Sequence, residues 1–417
     1  MAQLSEDVFA FGESLMSVDE ALAVMAERVR PIAGVEALPL AQADGRVLAE
    51  DLRAAVALPP FDNSAVDGYA ARSIDLSAEG PTLLPLSGRI AAGQPAPGAS
   101  MAGCAVRVLT GAPTPPEADI IFMQEDATVA DGCVSLPAGL KLGANLRRAG
   151  EDVFAGAVAL PAGRRLRPQD LALAAAVGAS RLSVRRPLRV GLFSTGNELR
   201  EPGEPLSAAQ IYDSNRSLLG GLLRRLGVEV CDLGRLRDDP ASLRGALAEA
   251  AGRHDLLVTS GGVSVGDEDH MRAAIAAVGS LVFWRLAIKP GRPVAMGVIG
   301  GTPLIGLPGN PVAVFITAAY VLRPLIAQLR GEILEPLASF PLRVGFAYLK
   351  KKGRREFVRA SLLRDADGGF IAMKHPQDGT GMLTSLTETA GFVELAEDRL
   401  SLEPGETAPF IPYALLW

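Results

Sequence analysis

The sequence is poor in the residues that most often carry metal, redox and disulfide chemistry. Its 417 residues include three cysteines, Cys104, Cys133 and Cys231, and three histidines, and neither set has a C-x-x-C or other metal-ligand spacing. A zinc site or a disulfide framework is therefore not expected.

Lysine is scarce as well. Only six of the 41 basic residues are lysines, so an isolated lysine stands out against a background of arginine. The net charge is −6, which provides no general attraction to nucleic acid or to an anionic membrane. We therefore expect no nucleic-acid partner and no membrane partner.

Long apolar runs and a targeting segment are missing too. The longest apolar stretch, 312–322, is far shorter than the roughly 20 residues that a membrane-spanning helix needs. Residues 1–20 are acidic and lack the basic region and apolar core of a signal peptide. These features predict a reduced, soluble, cytoplasmic protein.

The length exceeds what one hydrophobic core usually organises, so we expect several domains. Ser17 and Glu20 form a capping box that predicts a helix ending before Pro31. From 36 to 187, short β-type runs separated by glycine and proline predict sheet and small-barrel structure rather than βαβ units.

A different pattern begins at residue 188. Near-continuous apolar strands alternate with helices, which predicts a parallel sheet covered on both faces. The final 80 or so residues return to β-type runs and predict a small barrel or a sandwich.

Three glycine-containing loops follow strands of this α/β region, at 194–198, 260–269 and 306–311. In such sheets ligands bind beyond the carboxyl ends of the strands, and helix N-termini offer N–H groups to phosphate. The loops therefore predict a pocket for a phosphorylated or nucleotide-like ligand, although tight turns would have a similar composition. The candidate ligand-binding residues are Ser194, Thr195, Gly196, Ser260, Gly261, Gly262, Ser264, Gly266, Pro308, Gly309 and Asn310.

Carboxylates accompany these loops. Glu198, Asp238 and Asp269 each follow a strand end and could surround a hard cation such as Mg²⁺. Asp239 is better explained as a helix cap, which leaves Asp238 without a capping role. Asp269, or Asp267 beside it, could equally cap its own helix.

The single lysine of the α/β region, Lys289, lies in a proline- and glycine-rich turn at 288–293. A rigid turn holds a charge in place, which suits recognition of a tetrahedral oxyanion, although a solvated turn lysine is the alternative. The denser basic run at 350–355 lies at a predicted hairpin, and there we expect a solvated face.

Eight segments resemble the molybdopterin molybdenumtransferases, a family that includes the C-terminal domain of gephyrin. In order along the chain they are FDNSAVDGYA, RVLTGAPTP, NLRRAGED, FSTGNEL, IYDSN, TSGGVSVGDED, KPGRP and LPGNP. The resemblance extends from about Ser17 to the C-terminus and so covers nearly the whole chain.

The resemblance implies a multidomain α/β plus β fold. Residues 1–187 would form an elongated β-rich region with a lobe inserted at about 55–155, and a helix at 17–30 would pack on the central domain. Residues 188–336 would form a three-layer α/β/α domain that resembles molybdopterin adenylyltransferase and binds molybdopterin. Residues 337–417 would form a β-barrel.

The resemblance also implies a reaction, the Mg²⁺-dependent transfer of molybdate to adenylylated molybdopterin with release of AMP. The implied catalytic residues are Asp67, Thr110, Asp152, Glu198, Asp238, Asp269 and Lys289, of which Glu198, Asp238 and Asp269 would hold the metal. The implied molybdate-binding residues are Lys289, Arg292, Pro293, Arg359 and Thr380.

The same resemblance implies a homodimer whose active site is shared between subunits, with Asp67 reaching across the interface. Transient contacts with molybdopterin adenylyltransferase and with molybdoenzyme chaperones are further expectations. The sequence departs from the family at Asn197, where aspartate is usual, and at Arg285 and Arg292, which replace lysines. A planar guanidinium changes hydrogen-bond geometry but keeps the charge.

Two other functions remain open on the sequence. Molybdopterin adenylyltransferase shares the TSGG loop and the α/β domain, but it lacks the long N-terminal region and the C-terminal barrel. A scaffold or binding role like that of gephyrin is the alternative outside catalysis.

Overall fold

The computed structural model describes residues 15–96, 101–237, 239–261, 270–365 and 367–417. The α-helices described in the N-terminal region are α1 (Val18–Arg28) and α2 (Pro168–Ala176). Its strands are β1 (Leu15–Met16), β2 (Val35–Pro39), β3 (Leu52–Arg53), β4 (Asn63–Ser64), β5 (Gly68–Ala71), β6 (Thr82–Ile90), β7 (Ala105–Val108), β8 (Ile120–Met123), β9 (Thr128–Ala130), β10 (Cys133–Leu136), β11 (Leu146–Arg147), β12 (Val158–Leu160) and β13 (Arg181–Arg185).

The N-terminal strands pair in a nested pattern. The antiparallel pairs β2–β13, β3–β12 and β4–β11 run outward and back, and a six-stranded sheet in the order β8-β5-β7-β6-β10-β9 lies at their far end. Because each outgoing strand pairs with a returning one, the six-stranded sheet is an insertion carried on a narrow two-stranded stem. The predicted β-rich character of this region is confirmed.

The central region contains the helices α3 (Ser214–Arg225), α4 (Pro240–Ala251), α5 (His270–Val278), α6 (Pro311–Thr317) and α7 (Arg323–Arg330). Its strands are β14 (Arg189–Thr195), β15 (Leu199–Arg200), β16 (Ile211–Tyr212), β17 (Glu229–Leu236), β18 (Leu256–Ser260), β19 (Gly279–Leu286), β20 (Ile288–Lys289), β21 (Pro293–Ile299) and β22 (Thr302–Leu307).

A seven-stranded sheet in the order β1-β19-β21-β22-β18-β14-β17 forms the centre of this region. One apolar cluster packs α1, α3, α6 and α7 against one face, and a second packs α4 and α5 against the other. The three-layer α/β/α architecture is therefore confirmed. Helix α1 joins this core across a long sequence separation, through Val24 and Met25, which are buried.

The alternation of strands and helices predicted a parallel sheet, and this prediction is wrong for one strand. The strands β14, β17, β18 and β22 are parallel, but β21 pairs antiparallel with both β19 and β22. Gly300 and Gly301 connect β21 to β22 and both have positive φ, the conformation that a two-residue hairpin requires. A connection this short cannot return the chain for a parallel pairing.

Helices α6 and α7 belong to one continuous helix, Pro311–Arg330, with a π-helical segment at Ala318–Leu322. Pro324 follows that segment and cannot donate to a carbonyl of the preceding turn, so regular α geometry is interrupted there. In the described part of the chain this helix alone is long and apolar enough to cross a membrane. Because 83% of its apolar window is buried inside the fold, it is a core helix.

The α-helix described in the C-terminal region is the short α8 (Thr384–Thr387). Its strands are β23 (Phe340–Val344), β24 (Tyr348–Leu349), β25 (Arg355–Arg364), β26 (Phe370–Lys374), β27 (Gly391–Leu395), β28 (Ser401–Leu402) and β29 (Thr407–Pro412). The order β25-β26-β23-β29-β27 closes on itself through the pairing of β25 with β27, so the region is a barrel and not a sandwich.

Candidate functional site

Three parallel strands end side by side at one edge of the central sheet. Ser260 at the end of β18 is in register with Ser194 of β14 and with Leu307 of β22. The amide of Gly261 donates to the carbonyl of Leu307 at 3.1 Å, and its φ of +77° favours glycine. The three predicted loops therefore begin at neighbouring positions.

Two adjoining cavities open at this edge. The anion cavity, as we name it for its cationic lining, has a volume of about 440 Å³ and lies against the 288–293 turn. The carboxylate cavity, named for Glu198, has a volume of about 340 Å³. The two cavities share Gly261, Gly309 and Asn310, so one elongated ligand can occupy both.

Most of the predicted binding residues with described positions line one of these cavities. Those at the anion cavity are Gly261, Lys289, Arg292, Pro293, Pro308, Gly309, Asn310 and Thr380. Those at the carboxylate cavity are Thr195, Glu198, Ser260, Gly261, Gly309 and Asn310. Ser194, Gly196 and Arg359 lie nearby in the fold but line neither.

Buried polar atoms without partners surround the carboxylate cavity. The Asn215 side chain donates to the carbonyl of Gly309 at 2.6 Å, while its Oδ1 atom is buried and accepts nothing from the described residues. The hydroxyl of Thr195 is likewise buried and has no hydrogen-bond partner in the described ranges. Because a buried polar atom without a partner costs stability, such atoms favour a site that a ligand or water completes.

Lys289 is held at the anion cavity by an unusual pairing between domains. Strand β20 pairs in parallel with β25 of the barrel, which places Lys289 beside Glu356. The Lys289 Nζ atom lies 3.3 Å from Glu356 Oε2 and donates to the Tyr348 hydroxyl at 3.2 Å. Glu356, which is 1% exposed, also accepts from Tyr348 Oη at 2.8 Å and from Arg354 Nε at 2.6 Å.

The protonation states in this cluster follow from burial and hydrogen bonding. Burial acts to raise the pKa of Glu356, but the hydrogen bonds from Tyr348 and Arg354 and the charge of Lys289 outweigh it, and the pKa is lowered. Burial raises the pKa of Tyr348 above its usual value, so this hydroxyl stays a neutral donor. The cluster therefore keeps one carboxylate against two cations, which leaves a net positive charge for an oxyanion.

Arg359 on β25 lies behind the same turn. It is 6% exposed and donates to the carbonyls of Gly379 at 3.1 Å and Gln377 at 2.9 Å. Burial lowers its pKa. By holding these carbonyls it fixes the loop that carries Thr380, whose own carbonyl accepts from the amide of Val312 at 3.1 Å.

The expectation of a solvated basic run at 350–355 is correct for Lys351 and Lys352, which are exposed, and wrong for the rest of the run. Lys350 is buried, and Arg354 lines the anion cavity. Arg355 forms ion pairs with Asp19, Glu394 and Glu397 and so ties the barrel to α1. The run spans the turn between β24 and β25, and its last residue, Arg355, is in register with Ile288 of β20 in the central region.

Sequence reasoning also missed Tyr348, Glu356 and Asn215 as residues that build the site. The IYDSN segment contains Asn215 and was a usable signal for it. Nothing in the local sequence marks Glu356, because its role depends on the register of β20 against β25.

The predicted residues of the inserted lobe lie apart from both cavities. The Asp67 carboxylate accepts from the backbone N–H and the hydroxyl of Thr110, both at 2.7 Å, and these bonds lower its pKa. Asp152 is exposed, and its amide donates to Leu58 at 3.0 Å. Among the described residues, none from this lobe lines either cavity.

Of the three predicted metal ligands, Glu198 alone lies within the described residues. Glu198 is exposed at the carboxylate cavity, and in the described part of the chain its carboxylate has no hydrogen-bond or ion-pair partner. A magnesium ion commonly takes one or two protein carboxylates and substrate phosphates, so Glu198 fits one ligand position. The other predicted residues of this set and of its loop, Asp238, Asp269, Gly262, Ser264 and Gly266, lie outside the described residues. Within the described ranges no group of three His, Cys, Asp or Glu side chains could hold a metal by itself.

Known families match the chain along almost its whole length. The MoeA N-terminal region (domain I and II) matches residues 16–178, a probable molybdopterin binding domain matches 191–328, and the MoeA C-terminal region (domain IV) matches 341–413.

Individual relatives agree with these matches. Molybdopterin molybdenumtransferase of Haemophilus influenzae is 37% identical over 96% of this chain and 99% of its own, and that of Synechococcus elongatus is 36% identical over 89% and 93%. The crystal structure of molybdopterin biosynthesis moeA protein from Pyrococcus horikoshii matches with a TM-score of 0.80 and 30% identity, over 96% of this chain and 100% of that one. The chain therefore belongs to the molybdopterin molybdenumtransferase family of enzymes.

Proposed function

We propose that this enzyme inserts molybdenum into molybdopterin by the Mg²⁺-dependent transfer of molybdate to adenylylated molybdopterin, with release of AMP. The observation that carries the proposal is the pair of adjoining cavities, which share Gly261, Gly309 and Asn310. One is cationic, and the other has a carboxylate, that of Glu198, with no partner among the described residues.

Molybdate is a tetrahedral dianion, and the anion cavity offers charges suited to it. Lys289, Arg292 and Arg354 all line this cavity, and Glu356 holds two of them in place. Cations whose positions are set before the ligand arrives lose little freedom on binding. Thr380 adds a hydroxyl at the same wall.

The adenylylated pterin would extend through the carboxylate cavity. Thr195 and Asn215 have buried oxygen atoms there that a polar ligand can satisfy. Glu198 would hold Mg²⁺ together with Asp238 and Asp269, and the ion would neutralise charge on the phosphoanhydride. The chain itself would position the dithiolene end of the pterin toward Lys289.

We further propose that the protein acts in the cytoplasm as a homodimer with a shared active site. The separation of Asp67, Thr110 and Asp152 from both cavities supports this, because a second copy could supply the lobe that one chain keeps apart. Transient contact with molybdopterin adenylyltransferase and with molybdoenzyme chaperones would deliver the substrate and receive the product.

The test is a reaction with purified protein, adenylylated molybdopterin, MgCl₂ and molybdate, with AMP measured by chromatography. We expect AMP release that requires both molybdate and Mg²⁺. AMP release of equal rate without molybdate would contradict the proposal.

A parallel reaction with ATP and unmodified molybdopterin distinguishes the adenylyltransferase alternative. Formation of adenylylated molybdopterin in that reaction, without molybdate-dependent AMP release in the first, would replace the proposed function by nucleotidyl transfer.

A further inference from the structure

A separate cavity of about 380 Å³ lies where the three regions of the chain meet, and we name it the arginine cavity. The N-terminal region contributes the 164–167 segment, the central region contributes Arg323 and Arg330, and the C-terminal region contributes Leu415 and Trp417. It shares no lining residue with the anion or carboxylate cavity within the described ranges. The continuous helix that begins at the carboxylate cavity ends here, roughly 30 Å away for its 20 residues.

Three of the five guanidinium groups that line the arginine cavity are paired with carboxylates. Arg164 and Arg167 both contact the buried Asp170, at 2.8 and 3.1 Å, and Arg330 pairs with Glu332. These three arginines therefore have a structural role, since each forms an ion pair within the cavity wall.

Among the described residues, the other two guanidinium groups, those of Arg165 and Arg323, donate hydrogen bonds to backbone carbonyls and to no carboxylate. Arg165 donates to the carbonyl of Arg225 at 3.2 Å, and Arg323 donates to that of Glu335 at 3.1 Å. Neither forms an ion pair with a carboxylate in the described part of the chain, although Glu332 acts on both from a longer distance and Asp44 acts on Arg165.

The surroundings of Arg165 and Arg323 disfavour their positive charges. Burial lowers the pKa of both Arg165 and Arg323, and the proximity of the two arginines lowers that of Arg323 further. Arginine nonetheless stays protonated, so two half-buried charges face one cavity without full compensation. The Nε atoms of Arg164 and Arg330 are buried and lack hydrogen-bond partners among the described residues.

Two carboxylates, Glu332 and Glu335, also line the cavity, so with Asp170 three carboxylates face the five arginines and two positive charges remain in excess. The remaining wall is apolar. Leu334, Leu415 and Trp417 line the cavity together with the arginines. A planar or aliphatic group can lie against these side chains, whereas an inorganic ion would leave them unused.

We propose that the arginine cavity binds a phosphomonoester, with the phosphate between Arg165 and Arg323 and the organic group against Trp417. A phosphate dianion matches the two uncompensated charges, and guanidinium groups bind its oxygens in a planar, bidentate geometry. Residues of all three regions line the cavity, so the bound ligand would contact all three regions. It would do so at a site separate from the anion cavity.

The test uses the fluorescence of Trp417, one of two tryptophans in the chain. In a Trp284→Phe background, phenyl phosphate and inorganic phosphate are titrated at constant ionic strength with chloride as the reference. We expect a saturable change in emission with phenyl phosphate, and binding at least tenfold weaker for inorganic phosphate, which lacks the organic group. Equal binding of the two would overturn the assignment of the apolar wall.

The variants Arg165→Met and Arg323→Met should each weaken phenyl phosphate binding about tenfold or more, since each removes a charged hydrogen-bond donor. Arg165→Lys should recover part of the affinity. Arg53→Met is the matched control, because Arg53 also donates to a carbonyl, that of Gly156 at 3.1 Å, but lies outside the cavity. Unchanged affinity in both cavity variants would overturn the proposal.

A second measurement applies to the full chain without the Trp284 substitution. Phenyl phosphate should raise the thermal unfolding midpoint of the unsubstituted protein and of Arg53→Met, but not that of Arg323→Met. The same increase in all three would show that the ligand binds elsewhere and would contradict the proposal.

Discussion

The anion cavity and the arginine cavity are both lined by cations, but they compensate those cations differently. At the anion cavity, Lys289 and Arg354 share the buried carboxylate of Glu356. At the arginine cavity, Arg165 and Arg323 have backbone carbonyls as their hydrogen-bond partners.

This difference separates two ways of building a site for anions. A shared buried carboxylate fixes the positions of two cations and leaves one positive charge in excess, so the site is ordered without a ligand. Uncompensated guanidinium groups repel one another, so their site gains its stability from the ligand. The three predictions below test this distinction, from the largest effect to the smallest.

Glu356→Gln should have the largest effect. It leaves Lys289 and Arg354 without their common carboxylate, and removal of one member of a buried ion pair costs about 3 kcal/mol of unfolding free energy. Thermal and denaturant unfolding of the purified variant would measure the loss.

Glu397→Gln is the matched control, because Glu397 pairs with Arg355 in the same barrel but is 31% exposed. Its loss should be well below that of Glu356→Gln. Similar losses in the two variants would show that the shared carboxylate does not organise the anion cavity.

Lys289→Met and Arg323→Met should separate the two cavities. Lys289→Met should lower molybdate-dependent AMP release by roughly 100-fold, since it removes a positioned charge from the reaction site, while stabilisation by phenyl phosphate remains. Arg323→Met should abolish stabilisation by phenyl phosphate and leave AMP release near that of the unsubstituted enzyme.

Both readouts are measured on each purified variant, by chromatography of AMP and by thermal unfolding. Loss of both properties in either variant would mean that the two cavities are not independent.

Tyr348→Phe should have the smallest effect, a loss of about 1.5 kcal/mol at neutral pH, because one hydrogen bond to a charged group is removed. The pKa of Glu356 is lowered in the folded protein, so its stabilisation is complete above the unfolded value of 4.5 and is lost as pH falls through the folded value. The difference between Tyr348→Phe and the unsubstituted protein should therefore shrink as the solution is acidified below about pH 4.

Unfolding midpoints measured from pH 7 down to the acid limit of solubility would check this. A difference that stays constant or grows on acidification would contradict an ionised Glu356 as the acceptor. Tyr413→Phe is a control, since its hydroxyl bonds to Thr389 and not to a carboxylate.

Local features of the fold could be predicted well because neighbouring residues determine them. The capping box at Ser17 forms as expected, with Glu20 Oε2 accepting from the Ser17 amide at 2.7 Å. Asp239 caps α4 by accepting from the Ser242 amide at 3.0 Å. The three loops at strand ends were also predictable, since apolar runs followed by glycine mark where buried strands stop.

Features that join distant segments could not be predicted in the same way. The antiparallel pairing of β21 within a largely parallel sheet depends on the turn at Gly300 and Gly301, which the alternating pattern conceals. In the basic run at 350–355, the role of Arg355 could not be predicted, because its partners are β20 of the central region, Asp19 and two glutamates.

The sequence by itself determined the elements, the order of the domains and the residue types of the candidate site, because helix caps, turn glycines and buried strands are read from short segments. Tertiary structure alone decided which cations are compensated. Lys289 pairs with Glu356, whereas Arg165 and Arg323 form no ion pair in the described chain, and both outcomes depend on register and packing between domains. Electrostatic energy depends on the distance between charges and on their burial, and the separation of two residues along the sequence determines neither quantity.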